Sequence, residues 1–532
     1  MKLMMTSKVG GEWKSYSTKE FTEAVDQASR ALLELGVKAG DKVALISHNN
    51  RCEWNIMDHA LLQIGAVDVP IYPTMTEADY EYIFNHSESI YCFVSNDELY
   101  QKVTNILSKC EHMKKVFTFE QYKGMNHWSE VLALGADQTR QADVEKARDA
   151  VKPEDLATII YTSGTTGLPK GVMLSHKNVV SNVIAATPRI PGLVKGEAKT
   201  LSFLPVCHSF ERFIQYLYMY NGASIYFAES IETIKADLNY CQPTIFTAVP
   251  RLLEKFFDGI VANGTSAGGL KTKIFEWAVS LALQWEPEQA NGGFYHWKLG
   301  IADKLVFSKV RAALGLTQIK AVASGSAALQ PRLARFFNGI GVPILEGYGL
   351  TETAPVISVN TTAEPGMIRI GAVGKVIDGV EAKIAEDGEI LAKGPNIMMG
   401  YYKDEVKSAQ TFRTFEGTRW SVPGDWAEIL ADGTLVLLGR GSVCINTGGE
   451  KVFPEEVEEV LKRHSSVRDA VAVGIPDTRF GETICGVVEA EHDQLPTLSE
   501  LNEHVKKSLA AYKAPRHIVV IDTIGRAPNG KV

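Results

Sequence analysis

The sequence predicts an α/β protein. A large N-terminal part holds two doubly wound sheets and a β-barrel-like subdomain, and a small α+β domain follows. Three observations carry that prediction. Strand-like apolar runs alternate with helical patterns through the first 150 residues and resume after Pro153, the mark of parallel sheets covered on both faces. From about residue 364 glycine and proline become frequent and the apolar runs shrink to hairpin size. Past Arg440 a separate helix–strand–strand–helix pattern closes the chain. At 532 residues the protein is also too long for one hydrophobic core.

The elements follow in order. Phe21 to Leu35 has apolar residues at helical spacing and stops at Gly36. Asp41–Ser47 and Tyr91–Ser95 are short buried strands, and Leu61–Val67 reads as a helix running into a strand at Val69–Tyr72. Leu156–Tyr161 is a buried strand that breaks into a Gly/Thr-rich loop before the strand Val172–Ser175. Further strands are expected at Ser224–Phe227, Ile245–Ala248, Ile319–Ala323 and Val342–Leu345, and hairpin pieces at Ala382–Ala385, Glu389–Ala392 and Thr434–Leu438. Between Gly264 and Gly315 glycine clusters mix with helix-like pieces, read as helices packed on the main domain, with a surface lid or membrane-contacting helix as the alternative. In the last domain, Pro454 with Glu455 and Glu456 opens a helix in keeping with its dipole. Strands at Ala470–Val473 and Gly486–Glu489 and a helix from Ser499 to Leu509 complete it.

Composition narrows the function. Fifty-five basic and sixty-three acidic side chains give a net charge of −8, which argues against nucleic acid as a partner. Seven scattered cysteines without a Cys-x-x-Cys pair read as reduced thiols, arguing against structural zinc. No signal-like or membrane-spanning apolar run occurs, so a cytoplasmic protein is expected. Oligomeric state is not readable.

The sharpest motif is Tyr161-Thr-Ser-Gly-Thr-Thr-Gly-Leu-Pro-Lys170. Small residues let backbone N–H groups converge on anionic oxygens, the hydroxyls of Thr162, Ser163, Thr165 and Thr166 add donors, and Lys170 adds charge. Gly164 and Gly167 keep the loop open to a phosphate. This is not the usual P-loop, because Pro169 stands where that motif's glycine would precede the lysine. A second constellation, Glu346-Gly-Tyr-Gly-Leu-Thr-Glu352, follows the strand Val342–Leu345 at the carboxyl edge of a sheet, where ligands bind. Tyr348 offers a flat face to a purine, and Glu352 a hard oxygen to Mg²⁺.

With both motifs in this order the chain resembles the adenylate-forming superfamily of acyl-CoA synthetases, peptide-synthetase adenylation domains and firefly luciferases. The resemblance runs over nearly the whole chain. It implies an N-terminal adenylation domain at 1–438, a hinge at 439–443 and a mobile C-terminal domain at 444–532. It implies that Gly325, Ser326 and Ala327 lie on the adenine side, and that Glu346, Gly347, Tyr348, Gly349 and Thr351 contact the nucleotide. It also makes Asp425 the ribose-binding aspartate and Arg440 a nucleotide contact at the hinge. Thr162 and Glu352 would hold the metal, Lys531 would be the catalytic lysine, and Gly448 and Gly449 would pass the pantetheine arm of CoA.

The reaction so implied joins a carboxylate to the α-phosphate of Mg-ATP and then transfers the acyl group to CoA. Leu204-Pro-Val-Cys-His208-Ser-Phe-Glu-Arg212 resembles the acyl-site segment of long-chain fatty acyl-CoA synthetases, with His208 in the catalytic group. The stretch Gly264–Gly315 resembles an insertion of that branch and is expected to add helical mass around a dry acyl tunnel. The run after Gly439 instead resembles actinobacterial acyl-CoA ligases of lipid and sterol catabolism. Relatives continue beyond the residue matching Lys531, so a recombined or truncated chain is one reading. The alternatives are a ligase for another hydrophobic acid, a sterol side chain or an aryl acid, an acyl-AMP ligase that loads a carrier protein, and a non-catalytic fatty-acid or nucleotide binder. A substrate that partitions into bilayers makes peripheral contact with the inner membrane face possible.

Overall fold

The computed structural model describes residues 1–532 except 163–167, 194–195, 267, 416, 441–443, 448–449, 478, 492–494 and 527–532, and the side chains of Val9, Asn446 and Lys451. Two sheets dominate. A seven-stranded sheet has a parallel centre formed by Leu156–Thr162, Val67–Ile71, Lys42–Ile46, Ser89–Val94 and Lys115–Thr118. A nine-stranded sheet has a parallel centre of Ile344–Gly349, Ala321–Ser324, Ile245–Ala248, Lys199–Ser202, Ser224–Phe227 and Met5–Val9. Antiparallel strands flank these centres, among them Lys170–Ser175 between Leu156–Thr162 and Gly400–Tyr401, while the edge strand Lys115–Thr118 stays parallel.

The cores explain the layering. One apolar cluster joins Val43, Leu45 and Phe93 of the seven-stranded sheet to Ile225, Ile245 and Leu345 of the nine-stranded one. The helices Thr18–Glu34, Cys52–Gln63, His176–Ala186 and Ser209–Tyr220 contribute to that cluster and lie between the sheets. A second cluster covers the far face of the nine-stranded sheet, and a third the far face of the seven-stranded sheet, with Tyr80, Phe84 and Leu99. Elements buried on both faces lose the alternation that marks a half-exposed one. A four-stranded antiparallel sheet and the ribbon Asp425–Ile429/Leu435–Arg440 form the β-rich part, tied together by the bridge between Glu389 and Trp426. Around Val457, Leu461, Ala470, Val488 and Leu501 the C-terminal residues make a core of their own.

Three expectations need correction. Leu61–Val67 is not one helix: the helix is Cys52–Gln63, and Val67 begins a strand. Eight of its twelve residues are buried, so no polar face reveals its period. The strand placed at Val342–Leu345 is Ile344–Gly349, so Glu346 to Gly349 are strand residues and not a loop. Finally, the insertion helices Gly269–Ala282 and Gly293–Ala302 do pack on the main domain, on the outer face of the nine-stranded sheet against Leu333, Phe336 and Phe337, but not around an acyl tunnel. None of residues 269–315 borders the cleft described below, so they enclose no part of it.

Candidate active site

One cleft of about 1960 Å³ opens at the carboxyl edges of the sheets. Thr162, Lys170, His208, Gly325, Ser326, Ala327, Glu346, Gly347, Tyr348, Gly349, Thr351, Glu352, Asp425 and Arg440 all line it. Ser163, Gly164, Thr165, Thr166, Gly167, Gly448, Gly449 and Lys531 fall outside the described residues.

Backbone pairing sets the geometry at the phosphate motif. The antiparallel pair Leu156–Thr162/Lys170–Ser175 brings Thr162 opposite Lys170 at the loop end of the hairpin. Burial, followed by the nearby Lys407, pulls the Lys170 ammonium below the ordinary lysine value. The Lys170 Nζ lies 5.7 Å from the ring centroid of Tyr401, whose Oη donates to Glu352 Oε1 at 2.9 Å. Tyr401 was missed by sequence reasoning. The only signal is a pair of tyrosines after Gly400, and the strand Gly400–Tyr401 reaches the site by adding to Lys170–Ser175.

Pairing likewise fixes the nucleotide side. Ser324 lies beside Glu346 in adjacent parallel strands. In the turn that follows, Ser326 has φ +70°, a left-handed backbone rarely adopted by a side-chain-bearing residue. At Gly349 a Cβ would collide with the Pro355 carbonyl, so this position admits no side chain. The Glu346 backbone carbonyl accepts from the Asn360 N–H, but its carboxyl has no hydrogen bond among the described residues, and burial alone pushes that carboxyl up to about 8.

Across the ribbon, Asp425 is the register partner of Arg440. The Arg440 Nε lies 3.1 Å from Asp425 Oδ1, while Tyr348 Oη donates to Asp425 Oδ2 at 2.6 Å. Burial and this acidic neighbour hold the Tyr348 phenol protonated, well above its usual value. One carboxylate thus ties the strand carrying Tyr348 to the ribbon that leads into residues 439–443.

His208 caps the helix Ser209–Tyr220, its Nδ1 accepting the Phe210 N–H at 3.1 Å. One residue on, Ser209 Oγ is 3.1 Å from Thr351 Oγ1, linking the cap to the turn that holds Glu352. Beneath lies a buried network that sequence reasoning also missed. Arg212 reaches Asp58 at 2.5 Å and Asp68 at 2.8 Å, both on elements of the seven-stranded layer. Glu211 accepts from Ser202 at 2.5 Å and Thr247 at 2.9 Å on the nine-stranded sheet. The same cleft is also lined by the apolar side chains of Ala186, Ile190, Phe213, Ile214 and Val359.

Glu352 and Thr162 present hard oxygens suited to Mg²⁺. No group of three or more His, Cys, Asp or Glu side chains gathers among the described residues. A site with so few protein ligands suits Mg²⁺ that arrives with a nucleotide's phosphates, since that ion is usually held by one or two carboxylates plus phosphate.

Comparison with known proteins places this cleft in context. Residues 3–402 match the AMP-binding enzyme family and residues 456–531 the AMP-binding enzyme C-terminal domain. A long-chain-fatty-acid–CoA ligase of Mycobacterium bovis is 33% identical over 470 residues, 88% of this chain and 76% of its own. A medium/long-chain-fatty-acid–CoA/3-oxocholest-4-en-26-oate–CoA ligase of Mycolicibacterium smegmatis is 28% identical over 98% of this chain and 91% of its own. Among solved structures, ATP-bound MatB of Rhodopseudomonas palustris superposes with a TM-score of 0.77 at 23% identity, covering 100% of this chain and 94% of its own.

Proposed function

The chain belongs to the AMP-binding enzyme family, and we propose that it is a long-chain fatty acid–CoA ligase that forms an acyl-adenylate and releases AMP and pyrophosphate. One observation carries the reading: a single cleft is lined both by the charged residues Lys170, Glu352, Asp425 and Arg440 and by His208 with apolar Ala186, Ile190, Phe213 and Ile214. The names of the relatives support the fatty acid as substrate.

In the first step a carboxylate oxygen attacks the α-phosphorus and pyrophosphate leaves. A carboxylate is already nucleophilic at neutral pH, so the site's task is alignment and charge neutralisation. Lys170 and the loop after Thr162 steady the β- and γ-phosphates, and Asp425 holds the ribose. Glu346, kept neutral by burial, is able to donate a hydrogen bond to a ring nitrogen of the base. Mg²⁺ at Glu352 and Thr162 would neutralise phosphate charge. Lys531 bridges the carboxylate and the α-phosphate. In the second step the thiolate of CoA attacks the acyl carbonyl and AMP departs. We assign this step to rotation of a C-terminal domain, residues 444–532, about a hinge at 439–443, with Gly448 and Gly449 admitting the pantetheine arm. The alkyl chain lies among Ala186, Ile190, Phe213 and Ile214. Such a substrate brings the enzyme to a membrane face.

The test is pyrophosphate release against fatty acids of increasing length, with and without CoA, for the native chain and Ala186→Phe. Release should peak at long chains, rise with CoA, and shift to shorter acids in the variant. A length-independent response would overturn the substrate. A peak for a sterol-derived acid would support the second reading suggested by the relative named for 3-oxocholest-4-en-26-oate.

A further inference from the structure

Helices Gly269–Ala282, Gly293–Ala302 and Ser308–Ala313, the last two joined by the π-helical turn Asp303–Phe307, form a hairpin outside the nine-stranded sheet. Its inner side is ordinary: Phe275, Ala278, Leu281, Ala302 and Phe307 are buried, and Tyr295 Oη donates to the Leu281 carbonyl at 2.7 Å. The outer side is not. Phe294 is 70% exposed and Trp297 62%, their rings stacked at 5.8 Å, with Lys298 Nζ 4.4 Å from the Phe294 centroid. Two turns further Leu305 is 48% exposed, and the antiparallel course of the hairpin brings Leu270, 73% exposed, to that same end.

The charge along this face is mostly positive. From Gly292 to Gly315 the charged side chains are Lys298, Lys304, Lys309, Arg311 and Asp303. Arg311 and Asp303 pair with each other at 2.6 Å. The three lysines form no ion pair among the described residues, so an apolar stripe is flanked by free positive charge in a chain whose net charge is −8. Lys271 and Lys273 add to it from the neighbouring helix, whose one acidic side chain is Glu276.

We propose that this face docks on an anionic lipid bilayer. Phe294, Trp297, Leu270 and Leu305 enter the boundary between headgroups and acyl chains, and the lysines extend their stems along the apolar surface to meet lipid phosphates. Exposed aromatic and aliphatic side chains ringed by cations match an interface that is apolar within and negative at its surface. The proposal locates the membrane contact of the function proposed above without depending on its chemistry.

Sedimentation with vesicles of phosphatidylcholine, with and without phosphatidylglycerol, tests it in the full-length protein. The native chain should partition onto mixed vesicles and only weakly onto pure phosphatidylcholine. The double variant F294S/W297S should partition about tenfold less. Lys298→Ser, Lys304→Ser and Lys309→Ser together should lower binding to mixed vesicles on the order of 100-fold. Pyrophosphate release with a water-soluble acid should be unchanged in both variants. Equal partition of all three proteins, or none by the native chain, would overturn the proposal. So would a dimer that F294S/W297S converts to monomers, since the face would then cover a second copy. Failure of the ligase reading would show separately, as vesicle binding without pyrophosphate release.

Discussion

Two helices of similar length, Ser209–Tyr220 and Gly293–Ala302, place their side chains in opposite ways. The first buries Glu211, Arg212 and Gln215 among its eight buried residues. The second buries Ala302 alone and turns Phe294 and Trp297 to the outside. Hydrophobicity therefore does not decide burial here; the partner does. The charges of the first helix face Asp58 and Asp68 on one layer and Ser202 and Thr247 on the other, so burying them fixes His208 and Ser209 relative to both sheets. Phe294 and Trp297 of the second helix have no protein layer above them among the described residues.

The strongest way to break this contrast is Arg212→Met, which leaves Asp58 and Asp68 buried without their cation. Urea unfolding should show a loss of about 3–5 kcal/mol. A loss no larger than that of a surface substitution would mean that the network is not an anchor.

Next comes Glu352→Gln at the cleft end, where Ser209 meets the neighbouring Thr351. It keeps the bond from Tyr401 but removes the charge. Pyrophosphate release should fall on the order of 100-fold with the fold intact. An unchanged rate would remove Glu352 from the phosphate site.

Glu211→Gln probes the anchor through pH. Burial, opposed by its hydrogen bonds to Ser202 and Thr247, raises the Glu211 carboxyl from 4.5 to about 7. Because the folded value is the higher one, its contribution is fully present below pH 4.5, declines up to about 7 and is flat above. The native chain should lose on the order of 2–3 kcal/mol more than the glutamine variant across that window. Parallel stability curves for the two proteins would contradict the assignment.

The smallest effect belongs to the exposed helix: F294S/W297S should change unfolding free energy by no more than about 0.5 kcal/mol. A large loss would show that these rings pack against protein after all.

Much of this was legible in the sequence. The hairpin that brings Thr162 opposite Lys170 was visible as two apolar runs around a Gly/Thr loop, and Glu346, Tyr348 and Glu352 stood out by spacing. What escaped reading were contacts made across the fold. Tyr401 reaches Glu352 only because a two-residue strand adds to a distant edge, and no local pattern marks it. The link from Asp425 to Tyr348 depends on a ribbon docking beside a strand far earlier in the chain. Glu211 and Arg212 were noted only as part of the acyl-site segment, because nothing local reveals two carboxylates waiting on other elements. The insertion was rightly read as helices packed on the main domain, but its apolar residues fit a tunnel wall and an outer layer equally well, and only tertiary packing sends them to the outside of the sheet.

The most direct test of the central claim, attack of a carboxylate on the α-phosphorus, uses a fatty acid labelled with ¹⁸O in its carboxylate. Complete turnover with ATP and CoA should leave one labelled oxygen in the phosphoryl group of AMP and none in pyrophosphate. Label in inorganic phosphate, with ADP as the nucleotide product, would mean an acyl phosphate instead and would contradict the account.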